Sequence, residues 1–197
     1  MVRVAGIVGY KNSGKTTLIR ALAGELQERG HEVAVVKHTH HRLDVPGKDT
    51  AILREAVAQV ALVSRREFAL FGKRSPSLEE VISCLQADIV LVEGFKAERT
   101  FPKIACLRGK PDDRDLFDGL VIAACGPATH VRRGEAPLLD RDDVSGIADV
   151  VENRAFKLPK LDCGSCGYER CYDLAREIVA GTRRVEDCVP WQSKAEV

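Results

Sequence analysis

Short apolar segments rich in β-branched residues alternate along the chain with segments of helical periodicity. Most of the apolar segments are apolar at consecutive positions, which is typical of strands covered on both faces of a sheet. They span residues 2–8, 32–36, 89–92, 103–107 and 120–125. This alternation predicts an α/β fold with a mostly parallel sheet and helices on both of its faces.

The helices are predicted from periodicity and from their caps. Leu18, Leu22 and Leu26 recur at four-residue spacing and place one apolar stripe on a helix that ends at Gly30. Capping residues predict three further helices. These caps are Asp49 or Thr50 before residues 51–57, Ser77 with Glu80, and Asp142 or Asp143 before Ile147 and Val150.

The segment Gly9-Tyr-Lys-Asn-Ser-Gly-Lys-Thr16 matches the P-loop pattern, between a predicted strand and a predicted helix. The backbone N–H groups of such a loop surround a phosphate, and the helix N-terminus adds positive potential. Lys15 is the candidate catalytic lysine for the β- and γ-phosphates, and the Thr16 hydroxyl is a candidate magnesium ligand. The predicted nucleotide contacts are Tyr10, Lys11, Asn12, Ser13, Gly14, Lys15, Thr16 and Thr17.

A second acidic group is expected near the magnesium, at the end of a neighbouring strand. Glu93 follows the apolar run from residue 89 to 92, and Gly94 would let the chain come close to the phosphates. We interpret Glu93 as a catalytic residue that holds a magnesium-bound water or polarises the γ-phosphate. The alternative is a solvated carboxylate at a strand end.

The segment from Lys37 to Asp49 is rich in groups that bind anions or metals. We expect a switch-like loop in which Lys37 or His38 contacts phosphate and Asp44 or Asp49 lies near magnesium. Asp49 could instead only cap a helix. A zinc site at the three clustered histidines is a weaker hypothesis, because neighbouring side chains diverge and no cysteine or fourth ligand is nearby.

Four of the seven cysteines lie in the last 35 residues, at positions 163, 166, 171 and 188. A [4Fe-4S] cluster takes four thiolate ligands, and the candidates here are Cys163, Cys166, Cys171 and Cys188. Zinc is the alternative metal. The spacing resembles the small four-cysteine [4Fe-4S] domain of corrinoid iron-sulfur proteins. A helix over 172–181 would return the chain so that Cys188 closes the site. Cys84, Cys106 and Cys125 lie in apolar segments and are expected to be buried, inert thiols.

The break around Pro159 predicts two domains, a nucleotide-binding domain at 1–155 and an iron-sulfur module at 156–197. The 30 Lys and Arg nearly cancel the 29 Asp and Glu, so no positive field favours nucleic acid or an anionic membrane as partner. No apolar run approaches the roughly 20 residues that span a bilayer. We therefore expect a cytoplasmic protein.

Five ordered motifs together resemble the molybdopterin-guanine dinucleotide biosynthesis adapter family over residues 2–152. They are the P-loop, Lys37-His-Thr-His-His41, Pro46-Gly-Lys-Asp49, Leu91-Val-Glu-Gly-Phe-Lys96 and Leu138-Leu-Asp-Arg-Asp-Asp-Val144. The resemblance implies a homodimer that binds GTP with Mg²⁺, hydrolyses GTP weakly, and assists the guanylyltransferase that joins GMP to molybdopterin.

Two features depart from that family. The link from the histidines to Pro46 is about two residues shorter and begins with Arg42 instead of an acid, which weakens a metal role for Asp44. Familiar bacterial members also end before the cysteine segment. Guanine preference rests on the resemblance alone, because no Asn-Lys-x-Asp segment is present to read the base.

Two other functions remain open from the sequence. An iron-sulfur cluster carrier ATPase also combines a P-loop with cysteines, but its signature lysine would stand where this chain has Tyr10. A small-molecule kinase would need an arginine lid over the transferred phosphate. The candidates for such a lid are Arg65, Arg66, Arg132 and Arg133.

Overall fold

Six strands form one sheet in the order β2-β5-β1-β6-β7-β8, and every neighbouring pair is parallel. The computed structural model describes residues 2–130 and 136–195, with side chains up to 193. The strands are β1 (Arg3–Val8), β2 (Val33–Lys37), β3 (Gln59–Val63), β4 (Phe68–Gly72), β5 (Ile89–Glu93), β6 (Lys103–Cys106), β7 (Val121–Cys125) and β8 (Leu138–Leu139). Strands β3 and β4 form a separate two-stranded sheet.

The helices are α1 (Lys15–Glu28), α2 (Asp49–Ala56), α3 (Leu78–Ser83), α4 (Val144–Arg154), α5 (Cys171–Ala180) and α6 (Val189–Ala195), with short 3-10 helices at Pro111–Leu116 and Val185–Asp187. The predicted fold class, a parallel sheet covered by helices with a small cysteine segment at its C-terminus, is confirmed. Arg132 and Arg133, candidates for an arginine lid, lie outside the described residues. Among the described helices, none combines the length and apolar character needed to cross a bilayer.

Side-chain alternation along the strands separates two layers of core. Ala5 and Ile7 of β1 point to the face where α1 and α4 pack, and both are fully buried. Val8 of β1 and Ala105 of β6 belong to the opposite face, with the 3-10 helix Pro111–Leu116. The consecutive apolar pattern of the sequence follows from this burial on both faces.

The C-terminal segment packs on this same unit through its own apolar cluster. Leu120, Phe156 and Leu158 are buried with α5, which contributes Cys171 and Leu174. The chain divides into two compact units, 1–38 with 85–197, and 39–84. The domain boundary near Pro159 stays a prediction.

The second unit contains a β-hairpin that the sequence analysis did not predict. β3 and β4 pair antiparallel, with Val63 opposite Phe68 and Ala61 opposite Leu70. Two apolar runs separated by Ser64 to Glu67 are a hairpin signal, and it was present in the sequence. Val63 and Phe68 are 82% and 81% exposed, so this face of the hairpin is apolar and uncovered.

The predicted caps of α3 and α4 are confirmed, and the predicted cap of α2 is wrong. Ser77 accepts from the Glu80 amide while Glu80 accepts from the Ser77 amide, and Asp143 accepts from the Gly146 amide. Helix α2 begins at Asp49 itself, after Lys48, and has no side-chain cap. The Asp49 carboxylate therefore lies in the first helical turn, where it still complements the helix dipole.

The expected burial of the three remaining cysteines holds for only two of them. Cys106 and Cys125 are buried register partners on β6 and β7, with their Sγ atoms 3.8 Å apart. Cys84 is exposed, because it follows the last residue of the short helix α3 rather than lying within a strand.

Candidate nucleotide and metal sites

The carboxyl ends of three adjacent strands meet at the loop between β1 and α1. Ile7 of β1 and Lys37 of β2 are both register partners of Glu93 on β5. Parallel strands end at one edge of the sheet, which is where ligands bind in open α/β folds. The sheet order therefore places Lys37 and Glu93 beside the loop from Gly9 to Thr16.

The loop has the backbone turns that close approach to a phosphate requires. Asn12 and Gly14 have φ values of 63° and 81°, in the left-handed region. Gly14 caps α1 through the backbone, and no side chain caps this helix end. The N–H groups at the start of α1 therefore point out of the helix end, and no side-chain oxygen caps them.

Gly9 is required where the loop leaves β1. A Cβ at Gly9 would lie 2.4 Å from Ser13 Oγ and 2.7 Å from the Cys106 carbonyl oxygen. Ser13 is buried, so the hydroxyl has little room to move. The loop can pass this close to β6 only with glycine at position 9.

Lys15 is placed to bind an anion inside the loop. Its Nζ donates to the Tyr10 carbonyl oxygen at 2.7 Å and reaches Ser13 Oγ at 3.5 Å, so the ammonium group spans the loop. Thr16 follows at the start of α1 and donates to Glu93 Oε2 at 3.4 Å. Lys37 Nζ contacts both oxygens of the same carboxylate. Thr16, Lys37 and Glu93 thus form one polar group, and Lys15 directly precedes Thr16 in the chain.

The other residues assigned to the nucleotide are in the loop itself, directly after β2, and in the second compact unit. Lys11, Asn12 and Thr17 are exposed. His38 follows β2, and its ring packs edge-on against Phe95 with centroids 5.0 Å apart. Asp49 is exposed in the second compact unit, where Arg54 holds Asp44 through an ion pair at 3.3 Å.

Three basic residues near the loop were not identified from the sequence. Lys96 Nζ lies 3.4 Å from the Tyr10 ring centroid, and the Arg108 guanidinium lies 4.5 Å from it. Desolvation, followed by the charges of Lys15 and Arg108, lowers the pKa of Lys96. Lys96 and Arg108 therefore bring positive charge to the Tyr10 side of the loop, which Asp112 and Asp113 partly offset.

Arg141 is the third of these residues. It donates to the Leu107 carbonyl oxygen at 3.0 Å, and a Cβ at Gly14 would lie 3.1 Å from its Nη1. Its Nε is buried and has no hydrogen-bond partner within the described residues. Lys96 and Arg141 each lie in one of the five ordered motifs, and this was the sequence feature that could have identified them. The spacing of the residues within those motifs did not indicate a role for either side chain.

The four C-terminal cysteines lie around α5 and the start of α6. Cys171 and Cys188 are buried, Cys166 is partly buried with them, and Cys163 is exposed. Cys171 Sγ accepts from the Asp162 amide at 3.4 Å, and its own amide donates to Asp162 Oδ1. Gly164 and Gly167, beside the first two cysteines, have positive φ values of 72° and 86°.

The electrostatics of these thiols fit a shared metal centre. Burial raises the pKa of Cys188, and the charges of Cys171, Cys166 and Cys163 raise it further. Hydrogen bonds from Ser165 lower the pKa of the exposed Cys163. A cation would stabilise such neighbouring thiolates. No three potential ligands form a ready-made metal-binding group within the described residues, so the donor set fits by its chemistry and not by a preformed geometry.

Two family models match the chain. The model described as "Molybdopterin guanine dinucleotide synthesis protein B" matches residues 4–124. A model described as "Putative Fe-S cluster" matches residues 158–190, which include all four C-terminal cysteines. The two matches correspond to the sheet with its phosphate-binding loop and to the cysteine segment.

Similar proteins agree with these matches. A protein of Methanocaldococcus jannaschii named "Putative molybdopterin-guanine dinucleotide biosynthesis adapter protein" is 32% identical over 95% of this chain and 77% of its own length. The molybdopterin-guanine dinucleotide biosynthesis adapter protein of Escherichia coli is 36% identical over 77% of this chain and 92% of its own length. The crystal structure of Bacillus subtilis MobB shares the fold with a TM-score of 0.64, over 78% of this chain and 98% of that one, at 24% identity.

The family model covers more than half of the chain, and the Methanocaldococcus protein extends the likeness through the cysteine segment. The predicted resemblance is confirmed on both parts. This chain belongs to the molybdopterin guanine dinucleotide synthesis protein B family of biosynthesis adapters and has a C-terminal Fe-S cluster segment.

Proposed function

We propose that this chain is a GTP-binding adapter with slow GTPase activity that assists the guanylyltransferase of molybdopterin guanine dinucleotide biosynthesis. The observation that carries the proposal is the polar group formed by Thr16, Lys37 and Glu93 at the end of three parallel strands, with Lys15 hydrogen-bonded inside the adjoining loop. The adapter role is that of the family, and the nucleotide chemistry is argued from this group.

Each residue of the group has a task in binding a triphosphate. The amides at the start of α1 would hold the phosphate oxygens, and Lys15 would move from the Tyr10 carbonyl to the β- and γ-phosphates. Lys37 and Lys96 would add positive charge beside the loop, and His38 is a further proposed nucleotide contact. The residues from Tyr10 to Thr17 form the proposed binding loop.

The same group contains the oxygens that Mg²⁺ prefers. Thr16 and Glu93 are 3.4 Å apart and would hold the ion directly or through water. Bound magnesium neutralises charge that develops on the phosphates. Glu93 would orient the attacking water, and the ion pair with Lys37 would hold this carboxylate in position. Asp49 remains a proposed additional magnesium contact.

Cys163, Cys166, Cys171 and Cys188 would hold a [4Fe-4S] cluster, which supplies a redox-active and oxygen-sensitive centre when bound. Cys171 and Cys188 would ligate the cluster from within the apolar residues, and Cys163 would ligate it from the solvent-exposed side. We further propose that residues 1–155 and 156–197 are the two functional domains and that the protein acts in the cytoplasm.

We also propose a homodimer formed through the β3–β4 hairpin. Phe68 and Leu70 are 81% and 64% exposed on one face of the hairpin, beside the equally uncovered Val63. A contiguous apolar face of this kind is seldom left to solvent. A second copy supplies the same face, which makes the contact self-complementary.

Equilibrium titration with GTP and with ATP, each with Mg²⁺, tests the nucleotide assignment. We expect GTP to bind more tightly, and Lys15→Ala to abolish binding while the circular dichroism spectrum stays unchanged. Arg20→Ala replaces an exposed residue on the same helix and is the matched control. Preference for ATP, or GTP affinity retained by Lys15→Ala, would contradict the proposal.

The adapter role needs its own measurement. Purified guanylyltransferase should bind the GTP-loaded protein and form molybdopterin guanine dinucleotide faster in its presence. The Lys15→Ala protein provides the comparison without nucleotide. An equal rate with and without the wild-type protein would exclude assistance.

A further inference from the structure

An unbroken set of polar contacts runs from the phosphate-binding loop to the cysteine segment through the turn at residues 94–99. On the loop side, Lys96 Nζ lies 3.4 Å from the Tyr10 ring centroid. The Lys96 carbonyl oxygen accepts from Lys103 Nζ at 2.8 Å and from Arg99 Nη1 at 3.0 Å. The side chain of Lys96 thus faces the nucleotide loop while its backbone is tied to the sheet.

The second half of the set reaches Cys171. Lys103 Nζ lies 2.5 Å from Asp118 Oδ2, which also accepts from Arg99. The Asp118 carbonyl oxygen accepts from the Tyr172 hydroxyl at 2.6 Å, and Tyr172 directly follows Cys171. The Arg99 guanidinium lies 5.4 Å from the Tyr172 ring centroid. Asp118 therefore connects the sheet to the first turn of α5.

Burial makes the middle of this set stiff. The Lys103 side chain is 1% exposed, and an ammonium group buried to that degree is costly unless its hydrogen bonds are satisfied. Its acceptors are the Lys96 carbonyl oxygen and the Asp118 carboxylate. If one of these acceptors moves, the other is expected to move with it so that Lys103 keeps both hydrogen bonds. Leaving the buried ammonium group unpaired would cost more free energy than a small backbone shift.

The turn itself has a strained backbone. Phe95 has φ 49°, which a side chain larger than glycine seldom adopts, and it follows Gly94 with φ 92°. Lys96 lies near the charges of Lys15 and Arg108. A triphosphate in the loop would attract the Lys96 ammonium more strongly than the Tyr10 ring does, and would draw the turn with it.

We propose that the 94–99 turn couples the two sites, so that GTP binding and metal loading of the four cysteines each strengthen the other. Loading fixes Cys171 and hence the Tyr172 hydroxyl on Asp118, which holds the turn in its nucleotide-binding arrangement. By linkage, the nucleotide strengthens metal binding by the same factor. The coupling rests on the proposed function, since it requires both a nucleotide and a metal centre.

GTP affinity, measured by calorimetry on anaerobic full-length protein with and without its metal centre, tests this coupling. We expect the loaded protein to bind GTP about fivefold or more tightly than the chelator-treated protein. Tyr172→Phe removes the hydroxyl and keeps the ring, so it should load normally but bind GTP with the affinity of unloaded protein. Tyr168→Phe is the matched control, because that hydroxyl contacts Arg183 and not Asp118.

The reverse direction gives a second readout in the wild-type protein. Saturating GTP should slow the loss of visible absorbance in excess chelator, and it should have little effect on Tyr172→Phe. Equal GTP affinity of loaded and unloaded wild type would overturn the coupling and leave the nucleotide site standing. Absence of GTP binding in both forms would overturn the proposed nucleotide site, and the coupling with it.

Discussion

Lys37 Nζ lies 2.8 Å from each carboxylate oxygen of Glu93, and the two residues are register partners on adjacent parallel strands. The contact places a fixed charge pair at the carboxyl edge of the sheet, next to Thr16 on the first turn of α1. This relationship is the basis of the catalytic assignment, and it can be tested by removing the charge of Glu93.

Glu93→Gln keeps the shape of the side chain but removes the carboxylate that we propose orients water and contacts magnesium. We expect GTP hydrolysis to fall about 100-fold or more, with a smaller loss of GTP affinity. Phosphate release under single-turnover conditions measures the effect. Glu28→Gln neutralises an exposed carboxylate at the far end of α1 and should hydrolyse GTP at the wild-type rate. Undiminished hydrolysis by Glu93→Gln would rule out its catalytic role.

Two glycine substitutions should have opposite effects on stability. Gly9→Ala would force a methyl group to within 2.4 Å of Ser13 Oγ, so we expect a loss of about 1–3 kcal/mol and much weaker GTP binding. Gly24 lies in the middle of α1, and a Cβ added there would meet no atom within 4 Å. Gly24→Ala should therefore raise the free energy of unfolding by about 0.5–1 kcal/mol. Urea unfolding measures both. Equal stabilities would show that the close approach at Gly9 is not constrained.

The contact between α1 and α4 should make stability depend on pH. Hydrogen bonds from His31 and Arg29 hold the pKa of Glu152 below its usual value of about 4.5. A lowered folded-state pKa stabilises the protein above pH 4.5, and this contribution is lost as the pH falls through the folded-state value. Glu152→Gln should therefore differ most from wild type near neutral pH and progressively less below pH 4.5.

Urea unfolding of both proteins between pH 3 and pH 7 checks this sign. Glu28→Gln provides the control for removing a carboxylate from the surface. A difference between Glu152→Gln and wild type that grows as the pH falls would contradict the assigned direction.

Substitution of one cysteine tests the metal centre. Protein purified without oxygen should show a broad visible absorbance, and Cys166→Ser should lose most of it because one of four ligands is missing. Cys84→Ser removes an exposed thiol from a different segment and should keep the colour. A colourless wild-type protein that contains zinc would show that the iron-sulfur assignment is wrong.

The hairpin face should control association. Phe68→Glu places a charge at a side chain that is 81% exposed and apolar, so we expect the proposed dimer to dissociate into monomers. Sedimentation velocity at several concentrations measures this change. Gln27→Glu adds the same charge at an exposed position on α1 and should leave the dimer intact. A Phe68→Glu protein that remains dimeric would exclude this face as the interface.

Much of the fold could be predicted because local physics and tertiary packing agree in this chain. Strands buried on both faces must be continuously apolar, so the runs at β1, β5 and β7 were visible in the sequence. The Ser77–Glu80 box and the Asp143 cap satisfy backbone groups within a few residues, and local bonds of this kind need no distant partner. The hairpin was missed although its two apolar runs were present.

The sequence by itself determined the fold class, the glycine-rich loop, the candidate acid at the end of β5 and the family, because each is encoded by residue type at short spacing. Only the tertiary structure decided that Lys37 pairs with Glu93, that Lys96 and Arg108 flank Tyr10, and that Asp118 meets Tyr172. These contacts join residues that are from 54 to 98 positions apart in the chain. Strand order and side-chain direction set such distances, and neither is written in any local pattern.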